Sequence, residues 1–199
     1  MIKTNSQPVT DKITGRAGNQ LHMECESSGG NPAPTLTWYL AGQPLTAQQA
    51  QENIRTGEGT WKAISRVSLP VSRQDHKAEL RCEASHEALI ENLVTYSQLD
   101  ILYPPRAEAS PSKEGVLSEG DSVSLSCVTD SNPPASITWR KQGGNMLTSQ
   151  PSFTIQSVSK DSAGQYDCVA ENILGLSEPS TVMIKVKCKY LNTFILFSS

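Results

Sequence analysis

Histidine and cysteine side chains are the residues of this chain that could hold a metal ion or form covalent bonds. Zinc sites place such ligands at short spacings. The three histidines do not follow such a pattern: His22 lies two residues before Glu24, His76 follows Asp75, and His86 lies farther along. We interpret all three as exposed strand or turn residues, and we expect no metal site.

The nucleophilic side chains form no recognised catalytic pattern. Serine is frequent, yet the five-residue Gly-x-Ser-x-Gly motif of a nucleophile elbow is absent. Neither Gly-x-Gly-x-x-Gly nor the phosphate-binding Gly-Lys-Ser occurs. We therefore expect no catalytic residues, no cofactor and no enzymatic activity.

Four of the five cysteines fall into two sets, each with a tryptophan about a dozen residues after its first cysteine: Cys25, Trp38 and Cys82, then Cys127, Trp139 and Cys168. Two such sets about 100 residues apart resemble a tandem pair of immunoglobulin domains. In that fold a disulfide joins the two sheets of a sandwich, and the tryptophan packs against it. The resemblance implies the bridges Cys25–Cys82 and Cys127–Cys168, with the tryptophans in the core and Cys188 left over.

Alternating apolar residues predict strands at the matching places of both halves. Leu21, Met23 and Cys25 alternate with polar residues, which is typical of a strand with one buried face. The same period of two recurs around both tryptophans and both second cysteines. Proline and glycine between the first cysteine and the tryptophan turn the chain. The sequence thus predicts an all-β protein of two tandem immunoglobulin-like sandwiches.

Length and charge bound the organisation of the chain. Its 199 residues suit two small domains, which we expect at residues 1–102 and 103–187, with 188–199 as a disordered or non-native tail. The two prolines of the segment Ile101–Pro105 predict a semi-rigid linker. The net charge is -3, with 9 basic and 11 acidic residues up to Tyr103 and 8 and 9 after it. Neither half is basic, so we expect no nucleic-acid partner.

The two predicted domains differ near their second cysteines. Tyr166 stands two residues before Cys168, at the tyrosine-corner position, whose hydroxyl bonds to nearby backbone. The two cysteines of the second domain are 41 positions apart in the sequence, and this domain resembles an I-set or C2 type. The first domain has Leu80 at the corner position and its cysteines are 57 positions apart, and it resembles a C2 type with a longer connection from Leu45 to Gly59.

The segment Ala78–His86 resembles the C2-type second domains of nectin and nectin-like adhesion proteins, and nephrin-like proteins are similar. The resemblance covers residues 6–187. It implies that the chain is an extracellular fragment of a membrane-anchored parent protein. The fragment would bind a protein partner at the cell surface, in a homophilic or heterophilic way, or set the distance at which such recognition takes place. Two alternatives stay open: the membrane-proximal domains of a lectin-like inhibitory immune receptor, and a purely structural spacer.

Three residues outside these patterns have two readings each. Trp61 packs on a strand of the first sandwich or anchors a partner, because exposed aromatic side chains are common at interfaces. Tyr103 packs between the domains or contacts a partner. Cys188 is a free thiol or forms a bridge between two chains.

Overall fold

The computed structural model describes residues 1–4, 7–9, 11–45 and 49–187, and it divides the chain into two compact units, Met1–Leu102 and Tyr103–Ser199. Both units are built from β-strands, which confirms the predicted all-β class. Cys188 and the rest of the predicted tail lie outside the described residues. Within the described part of the chain, no helix has the length and hydropathy needed to span a membrane.

The first unit is a sandwich of two sheets. The strands are β1 (Ile2–Thr4), β2 (Gln7–Pro8), β3 (Lys12–Arg16), β4 (Gln20–Gly30), β5 (Thr35–Leu40), β6 (Gln43–Pro44), β7 (Gln49–Arg55), β8 (Trp61–Pro70), β9 (Glu79–Ser85) and β10 (Leu93–Pro111). One sheet has the strand order β2-β1-β4-β8-β7; the other has β10-β9-β5-β6, with β3 parallel to β10. A 3₁₀ turn, Arg73–Asp75, precedes β9.

The core of the first unit follows from the period of two along its strands. In β9, Leu80, Cys82 and Ala84 are buried, and the residues between them point to the other side of the sheet. The same alternation in the neighbouring strands fills the space between the sheets. The remaining buried apolar residues are Ile2, Ile13, Met23, Cys25, Leu36, Trp38, Ala63, Ile64, Val67, Leu69, Val71, Leu99 and Ile101.

The second unit repeats this architecture with fewer strands. Its strands are β11 (Val116–Ser118), β12 (Val123–Asn132), β13 (Ser136–Lys141), β14 (Met146–Thr148), β15 (Ser152–Ile155), β16 (Gly164–Asn172), β17 (Gly175–Leu176) and β18 (Ser180–Lys187). In one sheet, the part of β10 from Tyr103 onward pairs with β12, and β12 pairs with β15. The other sheet has the order β11-β18-β16-β13-β14, with β17 paired to β16, and another 3₁₀ turn, Lys160–Ser162, precedes β16.

The hairpin between β16 and β17 depends on a glycine. Glu171 pairs with Leu176 and Asn172 with Gly175, so that two residues form the loop. Gly175 has φ +145°, a conformation that side chains disfavour. Asn172 also stabilises the loop, because its Oδ1 accepts a hydrogen bond from the Leu174 N–H at 2.9 Å.

The segment expected to be a linker is part of β10. Ile101 and Leu102 pair with Gly15 and Arg16 of the first unit, and Ile101 is fully buried. Tyr103 belongs to the second unit, where its hydroxyl donates to Asp130 Oδ1 at 2.9 Å. The segment predicted to be a semi-rigid linker thus has extended backbone throughout, and its first two residues pair with β3 of the first unit.

Candidate protein-interaction face

The four cysteines predicted to be bridged form two disulfides, Cys25–Cys82 and Cys127–Cys168, with Cα–Cα distances of 6.5 and 6.4 Å. Each tryptophan is paired in register with the second cysteine of its own unit. Trp38 and Trp139 are both fully buried. These residues build the cores and leave no side chain free for chemistry.

The environments of the two tryptophans differ. The indole N–H of Trp38 donates to the buried Ser65 Oγ at 3.1 Å. The indole N–H of Trp139 has no hydrogen-bond partner among the described residues. Instead, the Trp139 ring contacts Phe153 edge to face, with 5.5 Å between ring centroids.

Tyr166 closes the turn before β16. Its hydroxyl donates to the carbonyl of Ser162 at 2.9 Å, and Lys141 Nζ lies 5.5 Å from its ring centroid. Burial raises the pKa of the Tyr166 hydroxyl above its ordinary value, so the proton that it donates is retained at neutral pH. In the first unit Leu80 is fully buried instead, and the turn is closed by the Ser72 N–H, which donates to Asp75 Oδ2 at 2.7 Å.

We expect Tyr166→Phe to lower the free energy of unfolding of the second unit by about 1 kcal/mol, because one partly buried hydrogen bond is lost while the ring stays. Urea unfolding followed by tryptophan fluorescence measures the change. Tyr39→Phe, in the first unit, is the matched control and should leave the second unit unchanged. A Tyr166→Phe variant with the parent's midpoint would show that the hydroxyl contributes nothing.

The histidines are held more firmly than the sequence indicates. His22 is exposed on β4, as expected. His76 and His86 are half-buried, which corrects the expectation for these two: His76 Nδ1 accepts from the Ile101 N–H at 3.2 Å, and His86 Nδ1 accepts from the Ala88 N–H at 3.1 Å. They join loops to strands. No group of three potential metal ligands occurs in the described ranges.

Trp61 does not stand out as a free anchor. It begins β8, is half-buried, and pairs with Gly30 on one side and Arg55 on the other. Its place on a strand of the first sandwich agrees with the first of its two readings.

One outer face of the first unit carries a row of large side chains that the sequence analysis missed. Tyr39 on β5, Arg81 on β9 and Tyr96 on β10 are direct neighbours in register, and Pro44 on β6 extends the row. We call Tyr39, Arg81 and Tyr96 the tyrosine–arginine row. With strands about 4.8 Å apart, the four positions span about 14 Å across the sheet.

The row is ordered by contacts among its own members. The guanidinium of Arg81 lies over the Tyr39 ring, 4.1 Å from its centroid, and its Nη2 is 3.5 Å from Glu83 Oε2. Asn92 Nδ2 also donates to Glu83, at 2.6 Å. Tyr96 keeps 53% of its surface exposed, and its strand neighbour Val94 keeps 39%. An ordered arginine between a half-buried tyrosine, Tyr39, and an exposed one, Tyr96, matches the composition of protein-binding hot spots.

The opposite face of the same unit has a different chemistry. Glu26 contacts both Lys3 and Lys62, the latter at 2.7 Å, and Arg66 contacts Glu24 at 3.0 Å and Glu52 at 3.1 Å. Three cations thus neutralise three carboxylates. A partner docking there would have to replace ion pairs that the unit already makes, so this face is the weaker candidate.

The network predicts a pH dependence. Hydrogen bonds from Lys3 and Lys62 lower the pKa of the Glu26 carboxyl below its ordinary 4.5. Because the folded-state pKa is the lower one, the stabilisation is complete above pH 4.5 and is lost as the pH falls through the folded value. We expect Glu26→Gln to destabilise the first unit by about 0.5–1 kcal/mol at pH 7.

Urea unfolding at pH 7 and pH 3 tests this expectation. The parent should exceed Glu26→Gln in stability at pH 7, and the difference should shrink at pH 3. Glu58→Gln, at an exposed hairpin tip, is the control and should have no effect at either pH. A difference that grows on acidification would contradict the assignment.

The outer faces of the second unit carry hydroxyl pairs and exposed aliphatic side chains. On one, hydroxyls pair across strands, Ser110 with Ser126 at 3.1 Å and Ser124 with Thr154 at 2.8 Å. On the other, Asp167 accepts from Thr181 at 2.7 Å. Met183, 52% exposed, lies there too, and the other exposed apolar side chains of this unit are aliphatic as well: Val116, Val128, Met146, Leu147, Ile173 and Leu176. Among the described faces, the one with the tyrosine–arginine row is therefore best suited to bind a protein.

Comparisons with known proteins match both units to immunoglobulin domain families. Residues 5–92 match the family of CD80-like C2-set immunoglobulin domains, and residues 104–172 match a second immunoglobulin domain family. The ectodomain of mouse nectin-like molecule 4 (Ig1–Ig3) superposes with a TM-score of 0.79 at 24% identity, over 97% of this chain and 65% of that one. At this identity the superposition supports the fold alone.

Two of the relatives are cell adhesion molecules by name, and a third is a glycoprotein. Human cell adhesion molecule 1 is 26% identical over 171 residues, Xenopus tropicalis cell adhesion molecule 2 is 30% identical over 176, and human myelin-associated glycoprotein is 30% identical over 165. These matches cover 80–84% of this chain but only 38%, 40% and 26% of the three relatives.

These matches confirm the resemblance to immunoglobulin-type adhesion proteins and agree with a recognition role rather than an enzymatic one. Disulfide-bridged immunoglobulin domains of adhesion molecules are extracellular. The chain contains two immunoglobulin domains, the first of the C2 set, and belongs to the immunoglobulin superfamily.

Proposed function

We propose that this chain is the extracellular part of a cell-adhesion protein and that its first domain binds another cell-surface protein through the tyrosine–arginine row. The observation that carries the proposal is the register of Tyr39, Arg81 and Tyr96 across three strands of one face. Adhesion is supported by the relatives named above. The chain spans about two-fifths or less of their length, so the role of the whole protein is part of the proposal.

The physical argument rests on what each member of the row contributes. Tyrosine offers a large, stiff apolar surface with a polar tip, and it loses little entropy when it is covered. Arg81 is held in place over Tyr39, so a partner meets an arranged cation rather than a mobile one. Glu83 and Asn92 border the row with polar groups, as rim residues do at protein interfaces.

We propose a different part for the second domain. Its described strands carry paired hydroxyls and exposed aliphatic side chains, but none of its exposed apolar side chains is aromatic and it has no counterpart of the tyrosine–arginine row. It acts as a folded spacer between the binding domain and the membrane anchor of the full-length parent. The domain limits 1–102 and 103–187 belong to this proposal.

Cell staining tests the binding role. The chain is biotinylated, assembled on streptavidin and applied to cells that display a panel of membrane proteins; staining is read by flow cytometry. We expect Tyr96→Ala to weaken binding at least about tenfold, as expected for a hot-spot tyrosine. Met183→Ala, with nearly the same exposure in the second domain, should bind as the parent does.

Both variants should keep the parent's urea midpoint, because the replaced side chains are half exposed. Equal staining by the parent and Tyr96→Ala would contradict the proposed face. Loss of staining by Met183→Ala alone would move the binding site to the second domain.

A further inference from the structure

The tyrosine–arginine row has a second row beside it on the same face of the first domain. Glu83 lies two residues after Arg81 on β9, and the strand register places Thr37 on one side of it and Val94 on the other. Side chains two residues apart in a strand point to the same face, so both rows point outward. We call Thr37, Glu83 and Val94 the acidic row. It runs parallel to the tyrosine–arginine row at a distance of about 6.5–7 Å.

The two charges of these rows are only loosely paired within the chain. Arg81 Nη2 lies 3.5 Å from Glu83 Oε2, whereas a close pair of this kind is about 2.7–2.9 Å apart. The two side chains also keep 30% and 19% of their surface exposed. A guanidinium has five N–H donors and a carboxylate has about four acceptor sites. Both groups can therefore bind a further group of opposite charge.

A two-fold rotation brings the two rows into contact. When two copies of this face pack about an axis that lies between the rows and runs across the strands, the strands of the two copies are antiparallel and each row meets the other one. Arg81 then faces Glu83 of the second copy, and Glu83 faces Arg81. Tyr96 faces Val94 of the second copy, which brings two exposed apolar surfaces together. Tyr39 faces Thr37.

The neighbouring positions and the alternative axis support this arrangement. At the next level along β9, Glu79 meets Ser85 of the second copy, so that no like charges oppose each other along this strand. An axis that runs along β9 would instead place Arg81 on Arg81, where two like charges repel. Packed sheets cross at about 30°, and this angle keeps the rows near the axis in contact.

Building on the proposed function, we propose that the partner of this face is a second copy of the chain, docked antiparallel so that Arg81 of each copy binds Glu83 of the other. A face with a single sign of charge would repel its own copy, whereas this face carries a cation and a carboxylate one level apart with apolar side chains beside them. The face comprises a few short strands, so the interface is small and single copies associate weakly. Display of many copies on one surface strengthens such contacts.

Bead aggregation with charge-reversed variants tests the inference. The full chain is biotinylated and attached to streptavidin beads of two colours, and aggregates are counted by flow cytometry. Parent beads should aggregate with one another. Arg81→Glu beads and Glu83→Arg beads should each aggregate with themselves at least about tenfold less, because each variant places like charges on both sides of the axis.

Mixing the two variants provides the decisive comparison. Arg81→Glu beads should aggregate with Glu83→Arg beads, since both contacts across the axis then join a carboxylate to a cation. The double variant Arg81→Glu, Glu83→Arg has the net charge of the parent and should aggregate with itself again. Arg140→Glu, which reverses a charge at an exposed position of the second domain, is the matched control and should aggregate like the parent.

Parent beads that stay apart, single variants that aggregate like the parent, or a mixture and double variant that both stay apart would overturn the inference. The cell-staining result separates it from the proposed function. If parent beads stay apart but Tyr96→Ala loses staining, the face binds a different protein. If the beads follow the expected pattern but Tyr96→Ala stains like the parent, the contact between copies stands and the proposed binding of cell-surface proteins by this face fails.

Discussion

Replacing Cys25 and Cys82 together by alanine is expected to lower the free energy of unfolding of the first domain by about 4 kcal/mol. The bridge closes a loop of 57 residues, and loop-closure entropy of the unfolded chain gives that magnitude. The free energy of unfolding of a native domain is only about 5–15 kcal/mol. The loss would therefore consume a large part of the stability of a 102-residue unit.

Urea unfolding and calorimetry each measure this loss of stability. The second domain should keep its own transition, and the matched pair Cys127→Ala and Cys168→Ala should show the reverse. Adding dithiothreitol to the folded parent gives a readout that needs no substitution: it should destabilise the parent but not the first domain of the Cys25→Ala, Cys82→Ala variant. Equal midpoints of parent and variant would show that the bridge does not support the fold.

Much of the fold is visible in the sequence, because burial imposes a period of two on each strand. Leu80, Cys82 and Ala84 alternate with charged residues, and this pattern predicts β9 with its inward face. Tyr166 likewise marks its turn, because its hydroxyl donates to the carbonyl of Ser162, only four residues earlier. Local sequence suffices in these cases because the inward face of a strand follows from its own period of two, and the partner of Tyr166 is close along the chain.

The binding face could not be predicted in the same way. Tyr39 lies next to Trp38, Arg81 next to Cys82, and Tyr96 more than a dozen residues farther on, so nothing in the chain joins them. They meet because β5 and β10 both pair with β9, in registers set by long-range hydrogen bonds. A shift by one residue would turn Tyr96 into the core and Ser97 outward.

Two residues of the same type also differ for reasons outside their local sequence. Trp38 and Trp139 occupy matching places, yet only Trp38 finds a hydroxyl, Ser65 on β8, for its indole N–H. The strand β7 could not be predicted for the same reason. The spacing between Cys25 and Cys82 indicates additional residues, but it does not show that these residues form an edge strand that pairs with β8. Such contacts depend on which segments meet in space.

The central claim is that the face carrying Tyr39, Arg81 and Tyr96 binds a partner, and a glycan placed on that face tests it most directly. The chain contains no Asn-x-Ser/Thr triplet, so an introduced acceptor is the only one. Thr35→Asn creates Asn-Leu-Thr at an exposed position of β5, on the same face. Ser152→Asn creates Asn-Phe-Thr at an exposed position of β15 in the second domain.

Both variants are made in mammalian cells, and a mass shift that an N-glycanase removes verifies that each glycan is present. Staining of the cells that bind the parent is then compared. The account predicts that glycosylated Thr35→Asn loses binding, regains it after enzymatic removal of the glycan, and that glycosylated Ser152→Asn binds like the parent. Parent-level binding by glycosylated Thr35→Asn would contradict it.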